Sequence, residues 1–128
     1  MLPRSCPCGS GSPYAGCCGR LHDGTVSAAT AEQLMRSRYS AFAVGDPAYL
    51  LATWHSTTRP AALELDRDVR WTGLDVLDTT GGSLLSGTGT VEFRAHYLVG
   101  RRPGTQHEHS RFVREDGQWR YLDGLSPA

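Results

Sequence analysis

The strongest constraint on this chain is a short run near its start that carries all four of its cysteines: Cys6-Pro7-Cys8, eight residues, then Cys17-Cys18. Four thiolates fill a tetrahedral Zn²⁺ and leave no open position for catalysis. A directly adjacent pair can share an ion with a C-x-C pair if the backbone turns sharply. The glycines between them permit such turns, while Pro7 and Pro13 stiffen the approach. Tyr14 is the one large side chain between the pairs and is placed to pack over the loop. The rival readings are two disulfides or a catalytic dithiol. Adjacent cysteines rarely bridge each other, and the redox spacing C-x-x-C is absent. Met1 to Ser5 holds no apolar stretch of an export signal, so the expected compartment is the reducing cytoplasm, where disulfides are rare. The expectation is a structural metal site of Cys6, Cys8, Cys17 and Cys18. Zinc is the expected ion, although thiolates also take iron. His22 is a spare ligand for a set that is already complete.

Charge narrows the function classes. The chain has 13 basic and 13 acidic residues, and every basic one is arginine. A zero balance argues against general nucleic-acid binding, which shows a basic excess. No run approaches the length of a membrane span. The expected organisation is a metal-binding motif at 1–20, a linker at 21–29 and one α+β domain at 30–128.

Beyond the linker, Thr30 and Gln33 form a capping-box pattern that opens a helix running to Gly45. At helical period, Leu34, Met35, Tyr39, Ala41 and Phe42 share one side. Arg38 falls in the middle of that side, and Arg36 and Ser40 fall opposite, toward solvent. A buried guanidinium keeps its charge and needs a partner, whereas the alternative is that Arg38 snorkels past the edge. Asp46-Pro47 caps a second helix that runs to about Trp54, a core anchor, with His55 at its end. Residues 59–68 read as a short helix or a turn.

From Arg70 the period becomes two. Trp71 to Leu77 reads as a strand, Gly81-Gly82 as a turn and Ser83 to Gly100 as a strand region. Within that region Val91, Phe93, Ala95, Tyr97 and Val99 share one face; Glu92, Arg94 and His96 share the solvent face. Arg101 to Thr105 is expected to be a loop. Two further strands, 106–114 and 118–123, flank a turn containing Asp116-Gly117. If Phe112 points inward, so do Ser110 and Glu108; if Trp119 and Tyr121 do, so does Asp123. His107, His109 and Arg111 then face out. H-x-H on one strand face can ligate a metal, but no third ligand is assured.

These phases meet inside the domain. They place Arg38 opposite Glu108, with Ser110, Asp123 and His55 nearby. The expectation is an internal Arg38–Glu108 pair, either a structural tie between helix and sheet or part of a small polar pocket.

The cysteine run, with its glycines and Tyr14, resembles the SEC-C motif, a zinc module named from the tail of the SecA translocation motor. The order of two helices and a hairpin-rich sheet is similar to the NTF2-like cone. The segments Leu34 to Tyr39, Thr53-Trp54-His55, Trp71 with Gly73-Leu74, Ser110-Arg111-Phe112 and Gly117-x-Trp119-x-Tyr121-x-Asp123-Gly124 together resemble the YchJ-like family. There a SEC-C motif precedes an NTF2-like domain. Some of its members carry a second SEC-C motif, whereas this sequence stops at Ala128, implying a role not built on two metal modules. The resemblance implies a zinc-binding adaptor whose metal loop docks a protein or ribosomal partner, with Arg4 and Arg20 flanking the loop. The domain would hold a small-molecule ligand or form a dimer. The alternative it implies is an NTF2-like enzyme, with Glu108 or Asp123 as base and Arg38 orienting a small anionic substrate. A binding module without turnover is the third reading.

Overall fold

The computed structural model describes residues 3–125. A single 3₁₀ turn, Tyr14–Gly16, precedes α1 (Cys18–His22), α2 (Ala31–Val44) and α3 (Pro47–Ala52). The strands are β1 (Val69–Gly81), β2 (Thr88–Val99), β3 (Arg102–Glu115) and β4 (Gln118–Leu125). They form one antiparallel sheet in chain order.

Local chemistry sets the helix ends. Thr30 Oγ1 accepts from the Gln33 amide at 3.1 Å, and Gln33 Oε1 accepts from the Ala29 amide at 2.7 Å. These bonds satisfy donors at the start of α2. Gly45, at φ 80°, ends the helix in the left-handed conformation and donates to Ala41 O, as a C-cap glycine does. Asp46 then caps α3 by accepting from the Tyr49 amide, with Pro47 in the first turn. Residues 56–68 form no helix or strand, so the short-helix alternative is not realised.

α2 lies across the sheet. Leu34, Met35 and Tyr39 pack with Val91, Phe93, Ala95, Phe112 and Trp119 in the main core. Burial of each large apolar side chain contributes about 1.5–3 kcal/mol. The Trp119 indole also donates to Ala29 O at 3.2 Å, tying β4 to the start of α2.

Turn chemistry fixes the sheet register. Asp116 and Gly117 have φ of 54° and 79°, the paired positive values of a two-residue hairpin turn. Val99 pairs with Arg102, so Gly100-Arg101 alone connects β2 to β3. The loop expected at 101–105 is therefore strand from Arg102 onward. Pro103 is accommodated near the strand's start.

Two expectations fail for identifiable reasons. Ser40, expected to face solvent, is fully buried, as is Ser37 near it: Cys6 Sγ lies 3.6 Å from Ser40 Oγ, and the Tyr49 hydroxyl lies 2.7 Å from Ser37 Oγ. Asp123 does not follow Tyr121 inward. Arg111 pairs with Asp123 while Phe112 pairs with Tyr121, leaving Leu122 as an extra residue. Such a bulge breaks the period of two.

Candidate functional site

The cysteine loop is closed by its own backbone. The Cys6 amide donates to Ser12 O at 2.9 Å and the Gly9 amide to Cys6 O at 3.2 Å. Gly9 and Gly11 take φ of 82° and 83°, values that favour glycine. At Gly19 a Cβ would meet Tyr14 O at 2.7 Å, so this position allows the 3₁₀ turn to pack against α1. The result is a cluster in which all four Sγ atoms lie within 4.8 Å of one another. Cys8 and Cys17 sulfurs are 3.8 Å apart, close to the edge of a tetrahedron built on bonds of about 2.3 Å. Cys6, Cys8 and Cys18 are buried and Cys17 is partly exposed. The thiols compete for protons. The hydrogen bond with Cys18 lowers the Cys8 pKa, and that same contact, with burial, raises Cys18. Burial raises Cys17. Four soft donors in one closed cluster can hold one metal ion.

This cluster is docked onto α2. Cys6 Sγ contacts Ser40 Oγ at 3.6 Å, and Arg36 Nη1 donates to Cys8 O at 2.8 Å. Arg36, expected to face solvent, thus ties the loop down while Glu32 holds its Nε at 3.0 Å. His22 is not part of the cluster. Its Nδ1 lies 2.5 Å from the Tyr14 hydroxyl and its Nε2 lies 2.8 Å from Ser37 O. Its ring also meets that of Tyr49 at a tilt of 54°, centroids 4.5 Å apart. The small residues Ser37 and Ser40, three apart, are the signal in sequence that something packs closely against this face of α2.

The opposite face of α2 lines a cavity of about 210 Å³ between the helices and the sheet. Three of the five pocket candidates reach it: Arg38, Glu108 and Ser110. Arg38 is inward, at 6% exposure, but the expected ion pair with Glu108 is not formed. Its Nη1 donates to Leu50 O and to Thr53 Oγ1, both at 2.7 Å. Its guanidinium carbon lies 5.1 Å from the Trp54 ring centroid and 4.6 Å from that of Tyr121. A carbonyl, a hydroxyl and two π faces therefore replace the carboxylate. Burial lowers the Arg38 pKa to about 10, so the group stays charged at neutral pH. Glu108 instead accepts from Ser110 Oγ at 3.0 Å. Its side chain lies over Gly124, where a Cβ would overlap the carboxylate.

The remaining two candidates sit elsewhere. Asp123 is bound by Arg111 on the solvent face, with Arg111 Nε 2.6 Å from Oδ1; this follows from the bulge at Leu122. The His55 Nδ1 is 2.7 Å from Thr57 Oγ1 and its Nε2 is 3.8 Å from Glu115. Its backbone amide bonds Tyr121 O at 2.8 Å, and the residue does not line the cavity. Two of the outer-face histidines pair with acids: His96 with Asp75 at 2.7 Å and His107 with Glu92 at 2.6 Å. Among the described residues the cysteines form the one cluster suited to a metal. Sequence reasoning missed Trp54, Trp71, Gln106 and Tyr121 as cavity residues. Aromatic residues near a predicted inward arginine were the available signal.

A family model described as YchJ, middle NTF2-like domain, matches residues 30–124. The chain belongs to the YchJ-like family. A UPF0225 protein from Streptomyces coelicolor is 60% identical, covering 93% of each chain. The solution structure of a SEC-C motif containing protein from Rhodopseudomonas palustris aligns with TM-score 0.84 at 34% identity, covering 97% of this chain and 99% of that one. A crystal structure of a SEC-C motif containing protein from Psychrobacter arcticus aligns with TM-score 0.78 at 28% identity, covering 99% of this chain and 86% of that one. The fold is thus the NTF2-like one of the YchJ-like family, preceded by a SEC-C-type cysteine cluster. Among the described residues no helix is long and apolar enough to cross a membrane.

Proposed function

We propose that this YchJ-like protein is a cytoplasmic, zinc-stapled binding module whose NTF2-like cavity takes a small ligand. The observation that carries this reading is the two-sided use of α2. One side is clamped by the cysteine loop through Ser40 and Arg36 and by His22 through the Ser37 carbonyl. The other side contributes Met35, Arg38, Tyr39 and Phe42 to the cavity. Zinc suits four thiolates in a closed cluster, and its role there is to hold α2 rather than to react. The enzyme alternative keeps Glu108 as its candidate base and loses Asp123, which is engaged by Arg111.

The test is a paired measurement on the full chain. Metal analysis should return one zinc per chain, and a fragment screen by NMR should perturb cavity residues in the metal-loaded protein. Removing the metal should weaken that binding. Fragment binding that is unchanged after complete metal removal would sink the staple. Failure of every fragment to perturb the cavity would sink the ligand reading.

The docking role remains as a second proposal because the rim of the loop is exposed. Arg4, Ser10, Gly11, Ser12 and Arg20 are open to solvent and form the surface that a protein or ribosomal partner would meet. An Arg4→Ala/Arg20→Ala variant should then lose partner capture and its salt dependence. Capture that survives both changes would count against this surface.

A further inference from the structure

Arg38 is not satisfied in the way a structural core charge would be. Both of its hydrogen bonds leave from Nη1. Its Nε and Nη2 make none, and among the described residues no carboxylate forms an ion pair with it. Beside it, Trp54 Nε1 is buried and is the one sealed side-chain nitrogen or oxygen without a partner among the described residues. The two unbonded arginine nitrogens are therefore not sealed, and Arg38 and Trp54 both line the cavity. This end of the cavity offers donors, held in place by a guanidinium that keeps its charge. The free Nε–Nη2 edge of that planar fork matches the two oxygens of a carboxylate.

The cavity is different at Glu108. Its Oε2 receives Ser110 Oγ at 3.0 Å, while Oε1 has no bond. This group offers an acceptor and would repel a second anion that gave it nothing. Tyr39, Trp71 and Phe93 supply flat apolar wall. The volume, about 210 Å³, is below the roughly 300–1,000 Å³ of pockets for drug-sized ligands, so the occupant is small.

We propose that the cavity binds a small carboxylic acid with a flat apolar body. Its carboxylate sits on Nε and Nη2 of Arg38, and a hydroxyl or amino group on the same molecule donates to Glu108. This assignment rests on the reading of the cavity as a ligand site, and it names the ligand class.

The test titrates the full chain, purified without chelator, with para-hydroxybenzoate, benzoate and para-hydroxybenzamide. Calorimetry gives affinity, and the indole N–H resonances report position. Para-hydroxybenzoate should bind most tightly and move the Trp54 indole signal, with the amide about tenfold weaker. Arg38→Lys keeps a charged donor for Leu50 O and Thr53 Oγ1 and removes the fork; it should cost the acid several-fold in affinity. Glu108→Gln should strengthen benzoate and narrow its gap to para-hydroxybenzoate. An amide that binds as well as the acid overturns the carboxylate while leaving the cavity a ligand site. Unchanged acid affinity in Arg38→Lys overturns the placement. If none of the three compounds moves a cavity resonance at its solubility limit, both the ligand class and the ligand site fall.

Discussion

The cysteine loop and the cavity lie on opposite sides of one helix and are built by opposite means. The loop draws its four sulfurs from residues 6–18, and its backbone hydrogen bonds are local. The cavity draws its lining from residues as far apart as Met35 and Tyr121. A local cluster is specified by spacing and turn chemistry. A dispersed one needs the whole sheet to be in register first. They differ in polarity of control as well: the loop concentrates its chemistry in one donor type, whereas the cavity balances a donor end against an acceptor end.

The largest expected effect breaks the loop. Cys8→Ser/Cys17→Ser should lose the metal and, because Ser40 is then uncovered, lower the midpoint of thermal unfolding by roughly 10 °C or more. Metal analysis and a thermal melt check this together. An unchanged melt in a metal-free variant would mean that the loop is an appendage and that the two regions are independent.

Next in size is Arg38→Met, which attacks the cavity side. The Leu50 carbonyl and Thr53 hydroxyl lose their charged donor, a loss of about 2 kcal/mol. Urea unfolding reads that change, and metal content should stay at the wild-type level. Loss of metal together with stability would show the two faces of α2 to be coupled more tightly than their separate contacts imply.

Gly124→Ala sharpens the cavity's acceptor end. A Cβ there would overlap the Glu108 carboxylate, costing about 1–3 kcal/mol. The double variant Gly124→Ala/Glu108→Ala should recover part of that loss in the same unfolding assay. Additive losses would mean that Glu108 is not what the new methyl meets.

The smallest effect lies outside both regions. Arg111 holds the Asp123 pKa below its ordinary value of 3.8, chiefly through the side-chain hydrogen bond. A depressed carboxylate stabilises the fold above the unfolded pKa, and that contribution disappears as pH falls through the folded one. Arg111→Gln should therefore be slightly less stable than wild type at pH 6, with the gap closing below about pH 4. The pair is exposed, so a large or pH-independent gap in denaturant titrations would point to a role beyond the pair.

The sequence by itself determined the elements whose signals are local. Thr30, Gln33 and Gly45 delimit α2 through hydrogen bonds within a few residues, and Asp116-Gly117 fixes a hairpin through its own backbone angles. Four cysteines at close spacing define a cluster for the same reason. The inward setting of Arg38 and Glu108 was legible from periodicity, because neither residue lies beyond a break in its element. Tertiary structure decided what these residues touch. The bulge at Leu122 turned Asp123 to the solvent face, and its evidence lies in pairing to β3 rather than in the order of β4. The loop buried a helix face whose period alone assigned it to solvent. Arg38 took a carbonyl, a hydroxyl and two aromatic faces because α3 and β4 bring those groups to it, whereas among the described residues no carboxylate comes within ion-pair distance. Periodicity says which way a side chain points; the partner it meets depends on contacts between distant segments, which are formed only when the sheet and helices pack.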